Sequence, residues 1–246
     1  FKGSLTSAEV ADAVERGIKD VFPQCNVVKA GVADGGEGTV EAIVKAVGGD
    51  MYAASVTDPL GRPVKAAYGI VRSGGVKTAV MEMSAASGLP LLLPDELNPW
   101  ITSTYGTGEM ISDALNRGCR KFLIGIGGSA TNDAGTGMLS ALGVRFLDSR
   151  GQRLKGCGRD LESIARIDMS SLMPAARESE FIVACDVNTP FCGPDGAARV
   201  FAPQKGADPQ TAEALDCGMR SFARVIAGQF QTDIVPLSGA GAAGGL

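Results

Sequence analysis

Glycine placement constrains this chain more than any other feature. The sequence carries 34 glycines in 246 residues, about twice the roughly 7% usual in soluble proteins. They fall at the ends of apolar runs rather than in a repetitive tract. Such spacing suits a fold in which strands hand over to helices through tight loops. Helical periodicity predicts a helix from Thr6 to about Phe22, with Thr6 and Glu9 as a capping box. A short strand over Val27–Val32 leads into Asp34-Gly-Gly-Glu37-Gly-Thr39 and then a helix over Val40–Val47. From Tyr52 to Met83 the texture turns to β, with turn signals at Asp58-Pro-Leu-Gly61 and Ser73-Gly-Gly75. Beyond a loop over 89–99 the alternation resumes: a helix over Glu109–Arg117, a strand over Lys121–Ile126, a loop to Asp133 and a helix over Gly135–Leu142. Strands follow over Val144–Leu147 and Phe181–Cys185, then a helix from about Pro209 to Gly228. Strands alternating with helices predict an α/β protein with a largely parallel sheet. The change of texture predicts a second domain starting near residue 50.

Composition narrows the chemistry. There is no histidine, which removes His metal sites, Ser-His-Asp hydrolysis and every His general base. A net charge of −4 prepares no surface for nucleic acid or an acidic membrane, and no apolar run approaches the ~18 residues of a span. The six cysteines (Cys25, Cys119, Cys157, Cys185, Cys192, Cys217) show neither CxxC nor zinc spacing, so reduced thiols and a cytoplasmic setting are expected. The ends, Phe1 without Met and the glycine-rich 239–246, read as cuts in a longer protein.

In open α/β sheets ligands bind beyond the carboxyl ends of the strands, and three loops qualify. Asp34 and Glu37 sit among glycines at a helix start, where backbone N–H groups attract anions. Two carboxylates would repel a bare phosphate, and a divalent cation such as Mg²⁺ resolves the conflict by bridging both. The plainer reading is a turn cap and a helix-dipole partner. The second loop, Gly125-Ile-Gly127-Gly128-Ser129-Ala-Thr131-Asn132-Asp133, gathers glycines, hydroxyls, an amide and an acid suited to cradling phosphates. It also fits a dinucleotide fingerprint, with Asp148 at the end of the next strand; tight turning alone would equally explain its glycines. In the third, Asp186 closes a strand and Asn188 follows closely. It suits a metal ligand or a proton acceptor for a substrate hydroxyl, or simply a turn cap. Softer candidates are Lys2 and Ser4 before the first helix, Tyr105-Gly-Thr107-Gly, and Lys205 in Gln204-Lys-Gly206. No GxxxxGK[ST] occurs. The residues alone favour a metal-dependent phosphoryl-transfer enzyme over a nicotinamide-dependent dehydrogenase of a small hydroxy acid, with a non-catalytic binding module as a further alternative.

Taken together the motifs resemble the glycerate kinase family that lacks a P-loop. Those that carry the resemblance are Phe1-Lys-Gly-Ser-Leu5, Ala33–Thr39, Asp58-Pro-Leu-Gly-Arg62, Glu82-Met-Ser-Ala-Ala-Ser-Gly-Leu89, Ser103–Glu109, Gly125–Asp133, Ala184-Cys-Asp-Val187, Pro203–Ala207 and Gly239–Gly245. The resemblance implies ATP-dependent phosphorylation of D-glycerate with Mg²⁺, 2-phosphoglycerate being the favoured product. It also implies two α/β domains: a flavodoxin-like parallel-sheet domain over 1–50 and 206–246, and an inserted α/β domain over 51–205. On this reading Asp34, Glu37, Asp186 and Lys2 are the catalytic candidates, with the three carboxylates holding the metal. Gly127, Gly128, Ser129, Thr131, Asn132 and Asp133 cradle the ATP phosphates, and Arg62 or Lys205 meets the glycerate carboxylate. A homo-oligomer is left open. The family usually places Asp-Gly-Gly where this chain has Asp133-Ala134-Gly135, so one backbone position loses freedom here. It also continues beyond both ends, with an Asp-Ser before Phe1, so the present chain alone is expected to be inactive or poorly stable.

Overall fold

The computed structural model describes Leu5, residues 7–29 and residues 38–246. Its helices are α1 (Ser7–Val21), α2 (Thr39–Val47), α3 (Ser84–Ser87), α4 (Tyr105–Asn116), α5 (Thr136–Ala141), α6 (Pro174–Arg177), α7 (Ala197–Phe201) and α8 (Pro209–Phe230). Strands are β1 (Gly49–Thr57), β2 (Pro63–Ser73), β3 (Val76–Glu82), β4 (Lys121–Gly125), β5 (Arg145–Leu147), β6 (Arg166–Asp168) and β7 (Glu180–Ala184). Of the strand expected over 27–32, residues 27–29 carry no regular structure and the rest lies outside the described residues.

The α/β class holds, and the main sheet is mixed. Its order is β1-β2-β3-β4-β7, antiparallel from β1 to β3 and parallel from β3 to β7. The antiparallel half follows from its turns, because short connections join only antiparallel strands. Asp58 accepts from the N–H groups of Leu60 at 2.8 Å and Arg62 at 2.9 Å, closing the first hairpin. Gly74 and Gly75 both take positive φ, +57° and +82°, as a two-residue type I′ turn requires. The parallel half arises where α4 carries the chain from β3 back to β4. Phe122 and Ile124 on β4 are buried with Met81 on β3 against Met110 and Ile111 of α4. On the opposite face α2 lays Val40 and Val44 against Val80. Gly69 on β2 permits that approach, since a Cβ there would collide with Val44.

A second core gathers Phe146, Leu161, Leu215, Met219 and Phe222 around α8. Helix α8 starts cleanly: Pro209 opens it, and the Asp208 carboxylate accepts the Thr211 N–H at 2.7 Å. Beside it β5 and β6 form a separate two-stranded sheet. Residues 206–246, expected to group with residues 1–50, pack here on residues 129–202. The Gly241 N–H donates to Thr189 O at 2.9 Å and the Ala134 N–H to Gly244 O at 3.0 Å. All six cysteines are free thiols. Among the described residues no helix is long and apolar enough to cross a membrane.

Candidate functional site

Three neighbouring strands end together. In register, Glu82 on β3 faces Gly125 on β4, and Gly125 faces Ala184 on β7. Their carboxyl ends therefore present Glu82, the 125–133 loop and Cys185-Asp186 side by side, the position where open parallel sheets bind ligands.

The 125–133 loop is held from several directions. Its backbone pairs with residues 87–89: Leu89 N–H donates to Gly128 O at 2.9 Å and Ala130 N–H to Ser87 O at 3.0 Å. Thr102 Oγ1 donates to Ala130 O at 2.9 Å. Ser129 Oγ donates to Ala243 O at 3.1 Å and lies 3.1 Å from Thr131 Oγ1. Asp133 is buried and accepts four donors: Thr104 N–H and Thr104 Oγ1, each at 2.8 Å, and the N–H groups of Gly135 and Gly137, each at 3.2 Å. One carboxylate thereby joins the starts of α4 and α5. Burial pushes its pKa upward, while those donors pull it back.

Beneath this loop lies Lys205, only 1% exposed. Its ammonium donates to Thr131 O at 2.5 Å and to Ser129 Oγ at 3.2 Å. Desolvation lowers its pKa to about 7, against the opposing pull of Asp133. Lys205, one of the two cations expected for the glycerate carboxylate, is instead turned inward by the short turn over Pro203–Lys205. The loop's side chains are spent inside. Ser129, Thr131, Asn132 and Asp133 are all buried, whereas Gly127 and Gly128 are exposed. Among the described residues nothing accepts the N–H groups of Gly127, Gly128 or Ser129. Backbone, rather than hydroxyls, is what the loop offers a ligand.

Asp186 is exposed just past β7. Glu82, 9% exposed, accepts the Val40 N–H at 3.0 Å and so fixes the start of α2 to the same strand ends. It was not singled out from sequence as a site residue, although an acid closing the apolar Ala79–Met81 carries the same signal as Asp186. Lys2, Asp34 and Glu37 lie outside the described residues. Among the described residues no three Asp, Glu or Cys side chains gather as a metal site.

Two sequence-level alternatives find other uses. Arg62 is clamped between Asp58, at 2.6 Å from Nε, and Glu96, at 2.5 Å from Nη1; it staples the 58–62 turn and is not held ready for a carboxylate. Asp148 follows β5, outside the main sheet, and its carboxylate accepts the N–H groups of Arg150 at 2.9 Å and Gln152 at 2.8 Å in its own turn. A ribose-binding acid would close the strand next to the glycine loop in the same sheet, so the dinucleotide fingerprint loses its second half.

Comparison with known proteins agrees. The sequence model of the glycerate kinase family matches residues 1–246. The glycerate kinase of Haemophilus influenzae is 48% identical over 246 residues, covering 100% of this chain and 65% of the relative. The glycerate 2-kinase of Escherichia coli is 46% identical, with 100% and 64% covered. The crystal structure of a candidate glycerate kinase 2 from Salmonella typhimurium LT2 superposes with a TM-score of 0.89 at 46% identity, covering 100% of this chain and 66% of that one. The chain thus spans about 65% of the length of the relatives it matches.

Proposed function

The chain belongs to the glycerate kinase family, and from that membership we propose that the protein transfers the γ-phosphoryl group of ATP to a hydroxyl of D-glycerate. The observation that carries this reading is the exposed Gly127-Gly128 turn, backed by a locked loop at the carboxyl end of a central parallel strand. Phosphoryl transfer asks a protein mainly to position reactants and neutralise charge. Unpaired backbone N–H groups on a rigid support do both for phosphate oxygens. The buried side chains of Ser129, Thr131, Asn132 and Asp133 shape that support.

In the reaction the glycerate oxygen forms a bond to the γ-phosphorus, the bond from phosphorus to the β-bridging oxygen breaks, and ADP leaves. The hydroxyl proton goes to Asp186, whose exposed carboxylate stands beside the cradle. Asp34, Glu37 and Asp186 would hold Mg²⁺, a set of hard oxygen donors fitted to that ion. When bound, Mg²⁺ neutralises charge on the phosphate oxygens. Lys2 adds positive charge near the phosphates. The name of the E. coli relative favours 2-phosphoglycerate as product.

The same reading places the protein in the cytoplasm and retains two α/β units with a boundary near residue 50. The packing of residues 206–246 on residues 129–202 argues for assigning that segment to the second unit. A coupled ADP-release assay on a full-length version, with D-glycerate and Mg²⁺ and then with EDTA, tests the activity. Turnover that EDTA abolishes is the expected result; no turnover with glycerate or related hydroxy acids would overturn it.

A further inference from the structure

We propose that Lys205 is a positioning residue: a fixed cation behind the glycine loop that aims its backbone at the phosphates and sets the loop's affinity for them. The inference rests on the kinase reading for the identity of the anion, but its geometry stands apart. Lys205 is not adjacent in sequence to anything it touches, yet its ammonium grips Thr131 O and Ser129 Oγ directly behind exposed Gly128. In a trans peptide the N–H points opposite to the C=O. Holding Thr131 O and Ser129 Oγ therefore fixes the peptide orientation of the buried 129–132 stretch, which carries the exposed Gly127-Gly128 turn, and no described residue accepts the N–H groups of Gly127 or Gly128.

The charge matters as well as the grip. A neutral donor could hold the same carbonyl without desolvating an ammonium, which is costly when the group is fully buried. The charged groups on the surrounding elements are few and mostly committed. Asp133, in the loop itself, already accepts four donors. Arg199 of α7 is engaged with Glu213 and Asp216. Glu96, next to the Leu97 carbonyl that Gly206 packs against, is engaged with Arg62. An anion on the outer face of the loop would add a second opposite charge to that of Asp133, through a thin layer of low-dielectric protein where the attraction is strong.

The experiment uses full-length versions carrying Lys205→Met and Lys205→Arg. It measures calorimetric binding of inorganic pyrophosphate, KM for ATP against kcat, and thermal melting. Lys205→Met should weaken pyrophosphate binding and raise KM for ATP by about 10-fold or more. kcat should stay within about 3-fold, and Lys205→Arg should recover part of the loss. A folded Lys205→Met protein that binds pyrophosphate as the wild type does would overturn the proposal. Should that variant not fold, Ser129→Ala removes one of the two Lys205 acceptors while keeping the charge; unchanged pyrophosphate affinity there would equally overturn it. A wild type that binds pyrophosphate through Lys205 but never phosphorylates glycerate would sink the kinase reading and leave the lysine's role intact.

Discussion

The loops that follow β4 and β7 leave adjacent strands at the same end of the sheet, yet they are built in opposite ways. After β4 the side chains of Ser129, Thr131, Asn132 and Asp133 all turn inward, Ser129 bonding to residues 205 and 243, Asn132 to Met219 and Asp133 to residues 104, 135 and 137, so only two glycines face outward. After β7, Cys185 and Asp186 are exposed, and the strand itself is open, with Phe181, Ile182 and Val183 at 40%, 50% and 46% exposure. The first loop is a support whose precision comes from internal bonds. The second presents a carboxylate that no described residue binds, which leaves it free for the role proposed for it. A rigid support and an uncommitted carboxylate are thus divided between two loops that lie one strand apart.

If that division is real, substitutions in the two loops must fail differently. Asp133→Ala should have the largest effect. It strands the Thr104 hydroxyl and three backbone N–H groups in the interior and leaves Lys205 without its nearest opposite charge. Denaturant unfolding should show a loss of about 3–5 kcal/mol; a loss under about 1 kcal/mol would mean the loop is not the support described. Asp186→Asn is the counterpart. As proton acceptor it should lower kcat by roughly 100-fold while unfolding free energy stays within about 0.5 kcal/mol, as for exposed sites generally. Near-wild-type turnover would remove Asp186 from that role.

Next in size is Gly244→Ala. Gly244 has φ +82°, and a Cβ there would run into the Thr131 carbonyl that Lys205 holds. We expect a loss of about 2 kcal/mol from the left-handed backbone and the collision, measured by thermal melting. Stability unchanged by the substitution would show that the 239–246 segment only rests on the cradle. A milder version of the same strain already exists in the chain: Ala134 sits at φ +51°, at the position where the family motif usually has glycine.

These particular residues also show what sequence could and could not reveal. The helices at 39–47 and 209–230, the two hairpin turns and the glycine loop were legible because period, caps and turn chemistry are local. Asp186 was legible because an acid closing an apolar run is visible in one dimension. The helix expected from Glu109 starts four residues earlier, at Tyr105, because Asp133, distant in sequence, binds the Thr104 N–H and hydroxyl at its start. The fingerprint ending at Asp148 misled because spacing does not say which sheet a strand joins. Lys205 was legible only as a candidate cation for the same reason: a Pro-Gln-Lys-Gly turn does not say which loop packs over it.

The smallest prediction bears on that lysine. In the folded protein its pKa is about 7, against an ordinary 10.5. Between those values the unfolded chain holds a proton that the folded one has released, so stability must rise with pH from about 7 upward and be flat below. The window from pH 7 to 8 isolates the effect. The buried thiols, with Cys157 pushed to about 12, titrate higher, and comparison with Lys205→Met subtracts what every other group contributes. Unfolding measured at pH 7 and 8 should differ by about 1 kcal/mol in the wild type and by less than half of that in Lys205→Met. Equal slopes in the two proteins would show that the buried ammonium does not titrate in this range. Affinity for pyrophosphate should move the opposite way, weakening as the proton leaves, so the pH that relieves the fold of a buried charge is also the pH at which the loop loses its hold on phosphate.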